Sequence, residues 1–230
     1  MMKKGMVVFL ASIALSTAGL TFSVTASARQ GNGAGGGSES VENLAPLSPD
    51  EIHDLYFMRE EEKLARDSYW LLGDEWGLTI YDNISKSEQQ HMDAIKNLLD
   101  RYQLEDPVED EYLPGGFVDP KLQELFAFLM DWGHQSLMDG LYVGAAIEET
   151  DIIDIQHAIE RADHADIIAT YESLVCGSRN HLRAFVGQIE LRGDIYTPLI
   201  LPEAELEVII NTPMERDCGG VVAKRTGGRG

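Results

Sequence analysis

The chain has 230 residues, with 39 Asp and Glu against 18 Lys and Arg, giving a formal charge of −21. A surface of that sign repels nucleic acid and anionic lipid, favours solubility and attracts cations. Cys176 and Cys218 are the only cysteines, and two thiols alone do not make a metal site.

Met1 to Ala28 reads as a secretory signal. Lys3 and Lys4 form the positive start, an apolar stretch runs from about Met6 to Val24, and Ala26-Ser27-Ala28 is an A-x-A cleavage site. The apolar stretch is nearly long enough to span a bilayer, so a retained anchor is the alternative. The small-residue ending favours cleavage, with the mature chain secreted or periplasmic and free of the membrane. Residues 29–46 form a spacer in which Ser, Gly and Asn dominate Gln30 to Ser40, and no core can form there. A helical domain is expected over residues 47–211, followed by a disordered, glycine-rich tail over 212–230 carrying Lys224, Arg225 and Arg229.

Within the domain every periodic segment is helical. Ser48-Pro49-Asp50-Glu51 combines a Ser cap, Pro at the first helical position and Glu at the capping-box position, so a first helix runs to about Trp76 and stops at Gly77. Leu55, Met58, Glu62, Ala65, Tyr69, Leu72 and Trp76 make its stripe. A second helix runs from Tyr81 or Ile84 to Tyr102, striped by Ile84, Glu88, His91, Ile95, Leu98 and Tyr102. Asp106 to Pro120 is a loop broken by Pro114-Gly115-Gly116, and Asp119-Pro120 opens a short helix through Trp132. The third main helix spans about Ser136 to Arg161, with Leu141, Ala145, Glu148, Ile152, Ile155 and Ile159 on one side. The fourth spans about Asp163 to Leu191, with Ile167, Tyr171, Leu174, Ser178, His181 and Phe185 aligned, and Gly193 stops it. A terminal helix is expected over Pro202 to Ile210.

Short links within each helix pair and a long link between the pairs predict an all-α fold, a ferritin-like four-helix bundle. Its crossover joins the second and third main helices and carries the short extra helix. Cys176 then lies in a helix and Cys218 in the tail; export permits a disulfide between them, and spacing alone leaves pairing open.

In three stripes a carboxylate takes a position that should be apolar: Glu62 between Met58 and Ala65, Glu88 between Ile84 and Ile95, Glu148 between Ala145 and Ile152. A lone buried carboxylate costs several kcal/mol unless it is paired, protonated or metal-bound. With His91 three residues after Glu88, and His181 on the fourth stripe, convergence on a cation explains all three. Asp151, one turn after Glu148, serves equally as ligand or as partner of a ligand. The bland readings are a Ser85–Glu88 capping box, Glu60 and Glu61 solvated or paired with Lys63 and Arg66, and Glu149 on a neighbouring face. His53, His134, His157 and His164 have no comparable setting. Tyr69, Tyr102 and Tyr171 are core aromatics, with a hydrogen bond to a metal ligand or an electron relay as the rarer role.

Arg59-Glu60-Glu61-Glu62-Lys63-Leu64-Ala65-Arg66-Asp67, then Asn83-Ile84 with Ser87-Glu88-Gln89-Gln90-His91-Met92, and Gly177-Ser178-Arg179-Asn180-His181-Leu182 resemble an uncharacterised ferritin-like family (domain of unknown function 2202) over about Pro49 to Ile210. More distantly the chain is similar to rubrerythrin. Glu62 with Ala65, Arg66 and Tyr69 resembles the first ligand helix there, Glu88 and His91 its Glu-x-x-His, and Glu148 with Asp151 its third-helix carboxylates. The fourth helix departs from that pattern: Ser178 stands where a two-iron site has a bridging glutamate, and no Glu lies between Glu172 and Glu190. A single metal, an asymmetric pair or a different metal all remain open, and no Cys-x-x-Cys pair supplies a relay.

The resemblance and the stripes together lead to Glu62, Glu88, His91, Glu148, Asp151 and His181 as metal ligands. The cofactor expected is iron or manganese, one or two ions, a mixed oxygen and nitrogen donor set suiting these better than calcium. If catalytic, the protein is a metal-dependent oxidoreductase acting on ferrous iron, oxygen or peroxide. The rivals are a non-catalytic helical bundle serving structure or partner binding, and an iron-storage shell, which the long spacer and tail disfavour. The partners expected are metal ions and, in a homodimer, a second copy of the chain.

Overall fold

Ser48 and Glu51 start the first helix by satisfying each other's backbone: the Ser48 hydroxyl accepts from the Glu51 N–H at 3.1 Å, and the Glu51 carboxylate accepts from the Ser48 N–H at 2.9 Å. This computed structural model of the chain describes residues 44–216 and Cys218. The signal, the spacer up to residue 43 and the tail beyond Cys218 lie outside the described residues. Helix α1 spans Pro49–Trp76 and ends at Gly77, whose φ of 66° is the left-handed conformation that glycine adopts freely. Helix α2, Thr79–Arg101, follows at once and starts earlier than expected. Its N-cap, Leu78, makes no side-chain cap bond, so the sequence gives no start signal there. Ser85 and Glu88 are consequently inside α2, and the capping-box reading of Glu88 falls. Asp119 caps α3, Pro120–Gly133, by accepting from the Lys121 and Leu122 N–H groups. Ser136 caps α4, Leu137–Arg161; α5 spans Ala165–Leu191 and α6 spans Glu203–Asn211. The described residues hold these six helices and no strand, so the fold is all-α.

Helix α1 packs along α2 and α4 along α5, while α1 also meets α4 and α2 meets α5. The four long helices thereby enclose a common interior. The link between α2 and α4 carries α3, which lies against α1 and α4, and α6 packs on α5. The apolar members of the predicted stripes fill the interior: Leu55, Met58, Leu72, Ile95, Leu141, Ile152, Ile155, Leu174 and Phe185 are all buried. Each such side chain contributes roughly 1.5–3 kcal/mol by leaving water. No helix among the described residues is long and apolar enough to cross a membrane.

Helix α1 is buried on more than its apolar stripe, which corrects the reading of Glu60 and Glu61 as solvated. The loop over residues 106–119 covers its far side and pairs the charges there. Arg59 binds Asp106 at 2.9 Å, and Lys63 binds Asp67 at 2.5 Å and the Leu113 carbonyl at 2.9 Å. Glu60 accepts the backbone N–H groups of Val118 and Asp119. Glu61 instead meets Asp154 of α4, and burial raises both carboxyls above their usual range. Glu149 accepts from Tyr196 and from the N–H groups of Leu199, Ile200 and Leu201, fastening the segment after α5.

Cys176 of α5 is disulfide-bonded to Cys218, with Cα atoms 5.4 Å apart, so the alternative left open by the spacing resolves to pairing. Glu215 reinforces the attachment through Arg179 at 2.5 Å and Arg183 at 3.0 Å.

Candidate metal centre

Glu88 points into the interior from the middle of α2, and one helical turn on His91 points the same way. From α1 comes Glu62, from α4 Glu148, and from α5 His181. The three glutamates are at most 1% exposed and the two histidines 8% each, so the histidines mark the side nearest solvent.

The contacts are ordered around Glu88. Its Oε2 lies 2.7 Å from His91 Nδ1, and its Oε1 lies 2.7 Å from His181 Nδ1. Glu62 Oε2 stands 3.1 Å from the His91 Nδ1, and Glu148 Oε2 stands 3.5 Å from the His181 Nδ1. Two triads result, Glu62–Glu88–His91 and Glu88–Glu148–His181. In each, one ligand atom per residue lies within 4.8 Å of the others. Glu88 belongs to both. Both of its oxygens, together with Glu62 Oε1, Glu148 Oε2 and His181 Nδ1, are buried without a hydrogen-bond partner of good geometry. Buried polar atoms are seldom left so, and five lie together in this cluster.

Several side chains hold this set in place. The Tyr69 hydroxyl donates to Glu148 Oε1 at 2.5 Å. Ser87 Oγ lies 3.0 Å from His181 Nε2, which orients that ring with Nδ1 toward Glu88 and Glu148. Gly177 makes room for His91: a Cβ at this position would stand 2.6 Å from the ring's Nε2. The two rings face each other with centroids 5.6 Å apart.

Asp151 falls in neither triad. Its Oδ2 accepts from Ser178 Oγ at 3.3 Å, and that hydroxyl also reaches the Leu174 carbonyl at 3.2 Å. Asp151 is nevertheless beside the centre, since burial and then the charges of Glu62, Glu61, Glu148 and Glu88 push its carboxyl well above the usual range. Ser178 thus ties the Asp151 carboxylate of α4 to α5. Asn180 faces away, bonded to the segment around Glu215 and Cys218. His53 and His164 lie elsewhere, against Asp54 and Glu51. Tyr102 binds Asp166.

The protonation pattern follows from burial set against neighbouring charge. Burial lifts Glu62 and Glu148 to about 7, with the imidazoles of His91 and His181 opposing it. Burial also acts on Glu88, but the two imidazoles outweigh it and hold that carboxyl far below the usual range. Although burial disfavours imidazolium, the carboxylates raise His91 well above its ordinary value and His181 to about 10. The Nδ1 protons therefore lie between the nitrogen and oxygen atoms and offset the carboxylate charge.

Sequence reasoning reached Glu62, Glu88, His91, Glu148 and His181, and the fold brings them together. It missed the parts played by Ser87 and Gly177. Both act across the α2–α5 contact, and only the Gly177-Ser178 dipeptide beside His181 hinted at a close approach.

The model of an uncharacterized protein domain, DUF2202, matches residues 51–213 of the chain. An uncharacterized protein of Methanocaldococcus jannaschii, MJ0754, is 47% identical over 171 residues, covering 74% of this chain and 92% of the relative. The crystal structure of hypothetical protein MJ0754 from Methanococcus jannaschii superposes with a TM-score of 0.73 at 46% identity, covering 75% of this chain and 98% of that one. The chain belongs to the DUF2202 family.

Proposed function

We propose that this member of the family is an exported metalloprotein of ferritin-like architecture, holding two iron or manganese ions inside a four-helix bundle formed by α1, α2, α4 and α5. The observation that carries the reading is the pair of buried triads sharing Glu88, in which both Glu88 oxygens, Glu62 Oε1, Glu148 Oε2 and His181 Nδ1 make no hydrogen bond of good geometry. In this reading Glu62, Glu88 and His91 would hold one ion and Glu88, Glu148 and His181 the other, with Asp151 as a further carboxylate at the edge. Mixed carboxylate and imidazole donors suit a redox-active first-row metal. When bound, such a pair supplies one-electron steps at each ion and open positions for an oxidant.

The chain's own residues would perform the rest. Binding would require loss of the Nδ1 protons of His91 and His181, and the Ser87 contact with Nε2 of His181 would keep that imidazole in the tautomer with Nδ1 free to ligate. Tyr69 keeps Glu148 from rotating away. Burial excludes bulk water from all three glutamates. A redox role on ferrous iron, oxygen or peroxide follows as the activity proposed. The Cys176–Cys218 disulfide supports placement in an oxidising compartment.

The rival reading is a non-catalytic bundle in which the imidazoliums neutralise the carboxylates permanently; the Glu62–His91 contact at 3.1 Å favours it. Elemental analysis decides. Protein from iron- and manganese-supplemented culture carries close to two ions per chain on the metal reading, whereas metal-free protein that also takes up none on titration establishes the rival.

A further inference from the structure

The two histidines are the part of the centre nearest solvent, and both stand where α2 meets α5: His91 lies against Gly177, and His181 against Ser87. Residues three and four apart share one face of a helix, so Ser173, Gly177 and Asn180 form a row along that seam. Another segment of the chain runs over the row. Ser173 donates to the Cys218 carbonyl, and Asn180 exchanges hydrogen bonds with the Glu215 backbone at 2.8 and 3.1 Å. Cys176, next to Gly177, is bonded to Cys218. Thr212 to Arg216, closing on Cys218, therefore make a strap fastened on both sides of the residue that seats His91.

The strap has little but the disulfide to keep it there. Thr212, Pro213, Met214 and Arg216 are exposed and Glu215 is half-buried, so none supplies the burial that holds the helices together. The pairs of Glu215 with Arg179 and Arg183 are partly exposed, and pairs of that kind contribute little. Segments with few buried contacts open locally without unfolding the rest. Both cysteines are half-buried, within reach of an exchanging thiol. Asn180 Nδ2 stands 3.3 Å from Cys218 Sγ, where it favours that sulfur leaving as a thiolate.

We propose that this strap is a redox-set latch over the ion entry of the centre: closed as the disulfide it slows the exchange of bound ions, and opened by a dithiol reductant it lets them pass. The inference rests on the metal reading and adds regulation to that site. In opening, one thiolate of the reductant attacks Cys176 Sγ, and Cys218 leaves as a thiolate that takes up a proton. The reductant's second thiol then displaces Cys176 from the mixed disulfide. Two electrons and two protons pass to the chain, and the reductant ends as a disulfide. The ligands stay in place, so the latch changes how fast ions exchange and not how many are held.

Hydrogen exchange on the metal-free chain reads the opening without reference to metal. In short pulses, reduction with dithiothreitol should speed exchange over residues 212–216 while α1 and α4 stay protected, and reoxidation should restore the slow rate. Unchanged exchange in the strap, or protection lost throughout, overturns the latch. Cys218→Ser opens the strap without a reductant that would itself bind metal. Loaded with manganese and held where both chains remain folded, the variant should yield its ions to excess chelator roughly tenfold faster than the native chain, from the same starting content. Equal release rates overturn the latch while the centre stands, and a lower starting content overturns it by showing that the tie positions the ligands themselves. A native chain that takes up no manganese on titration overturns the metal reading and the latch together.

Discussion

At the scale of single residues the centre depends on Glu88, the one carboxylate common to both triads, and on the space and orientation given to the two histidines. Gly177 supplies the space. A methyl group there would stand 2.6 Å from the His91 ring, so Gly177→Ala displaces that imidazole and leaves His181, held by Ser87, in place. The expected result is a fall in bound manganese from two ions per chain to one, with the remaining ion near Glu148; two ions in the variant would show that His91 is not positioned by Gly177. The buried carboxyls also set a pH dependence. Without a cation, burial raises Glu62 and Glu148 from 4.5 to about 7. A group raised in the folded state stabilises it fully below its unfolded value, and that contribution is lost as pH climbs through the folded value. The metal-free chain therefore loses melting temperature between pH 4.5 and about 7. His181, raised from 6.5 to about 10, loses its own contribution as pH climbs from about 6.5 to about 10. Glu88 acts oppositely, losing its contribution on acidification below the ordinary carboxylate range. Metal affinity rises over the same window because binding releases these protons. Melting curves in chelator and in manganese would separate the two effects; a metal-free melting temperature that rises through this window would contradict the assigned burial.

Helices were legible where the sequence carries local signals and illegible where partners are remote. The Ser48–Glu51 box, Gly77, Asp119 and Ser136 all act within three or four residues, and each boundary lies where those residues place it. Thr79 was missed as the start of α2 because Leu78 offers no side-chain bond. The stripes exposed Glu62, Glu88 and Glu148 because helical period alone decides which face a residue takes. Glu60 and Glu61 were misread for the same reason: their burial depends on the 106–119 loop and on Asp154, contacts that no period encodes. The end of the domain depends on one covalent tie. Cys176 and Cys218 are 42 residues apart, and a closed loop of that length restricts the unfolded chain by about 4 kcal/mol. Cys176→Ser should lower stability by no more than about that amount, read from denaturant midpoints, and free the segment around Glu215 to proteolysis. A tail that stays protected would mean that Arg179 and Arg183 hold it unaided.

Over the whole molecule, a net charge of −21 keeps anionic partners away and raises the local concentration of cations. Most of that charge is spread over solvated faces. Three carboxylates and two imidazoles, drawn from four helices, are instead gathered where water does not reach, and the proposed metal function rests on that arrangement. The direct measurement is the number and position of metal ions, from anomalous scattering on crystals of the native chain and of a Glu88→Ala, His91→Ala variant grown with manganese. The account predicts two peaks flanking Glu88 in the native protein and none in the variant. Equal metal content in both, or peaks only at the surface, would contradict it.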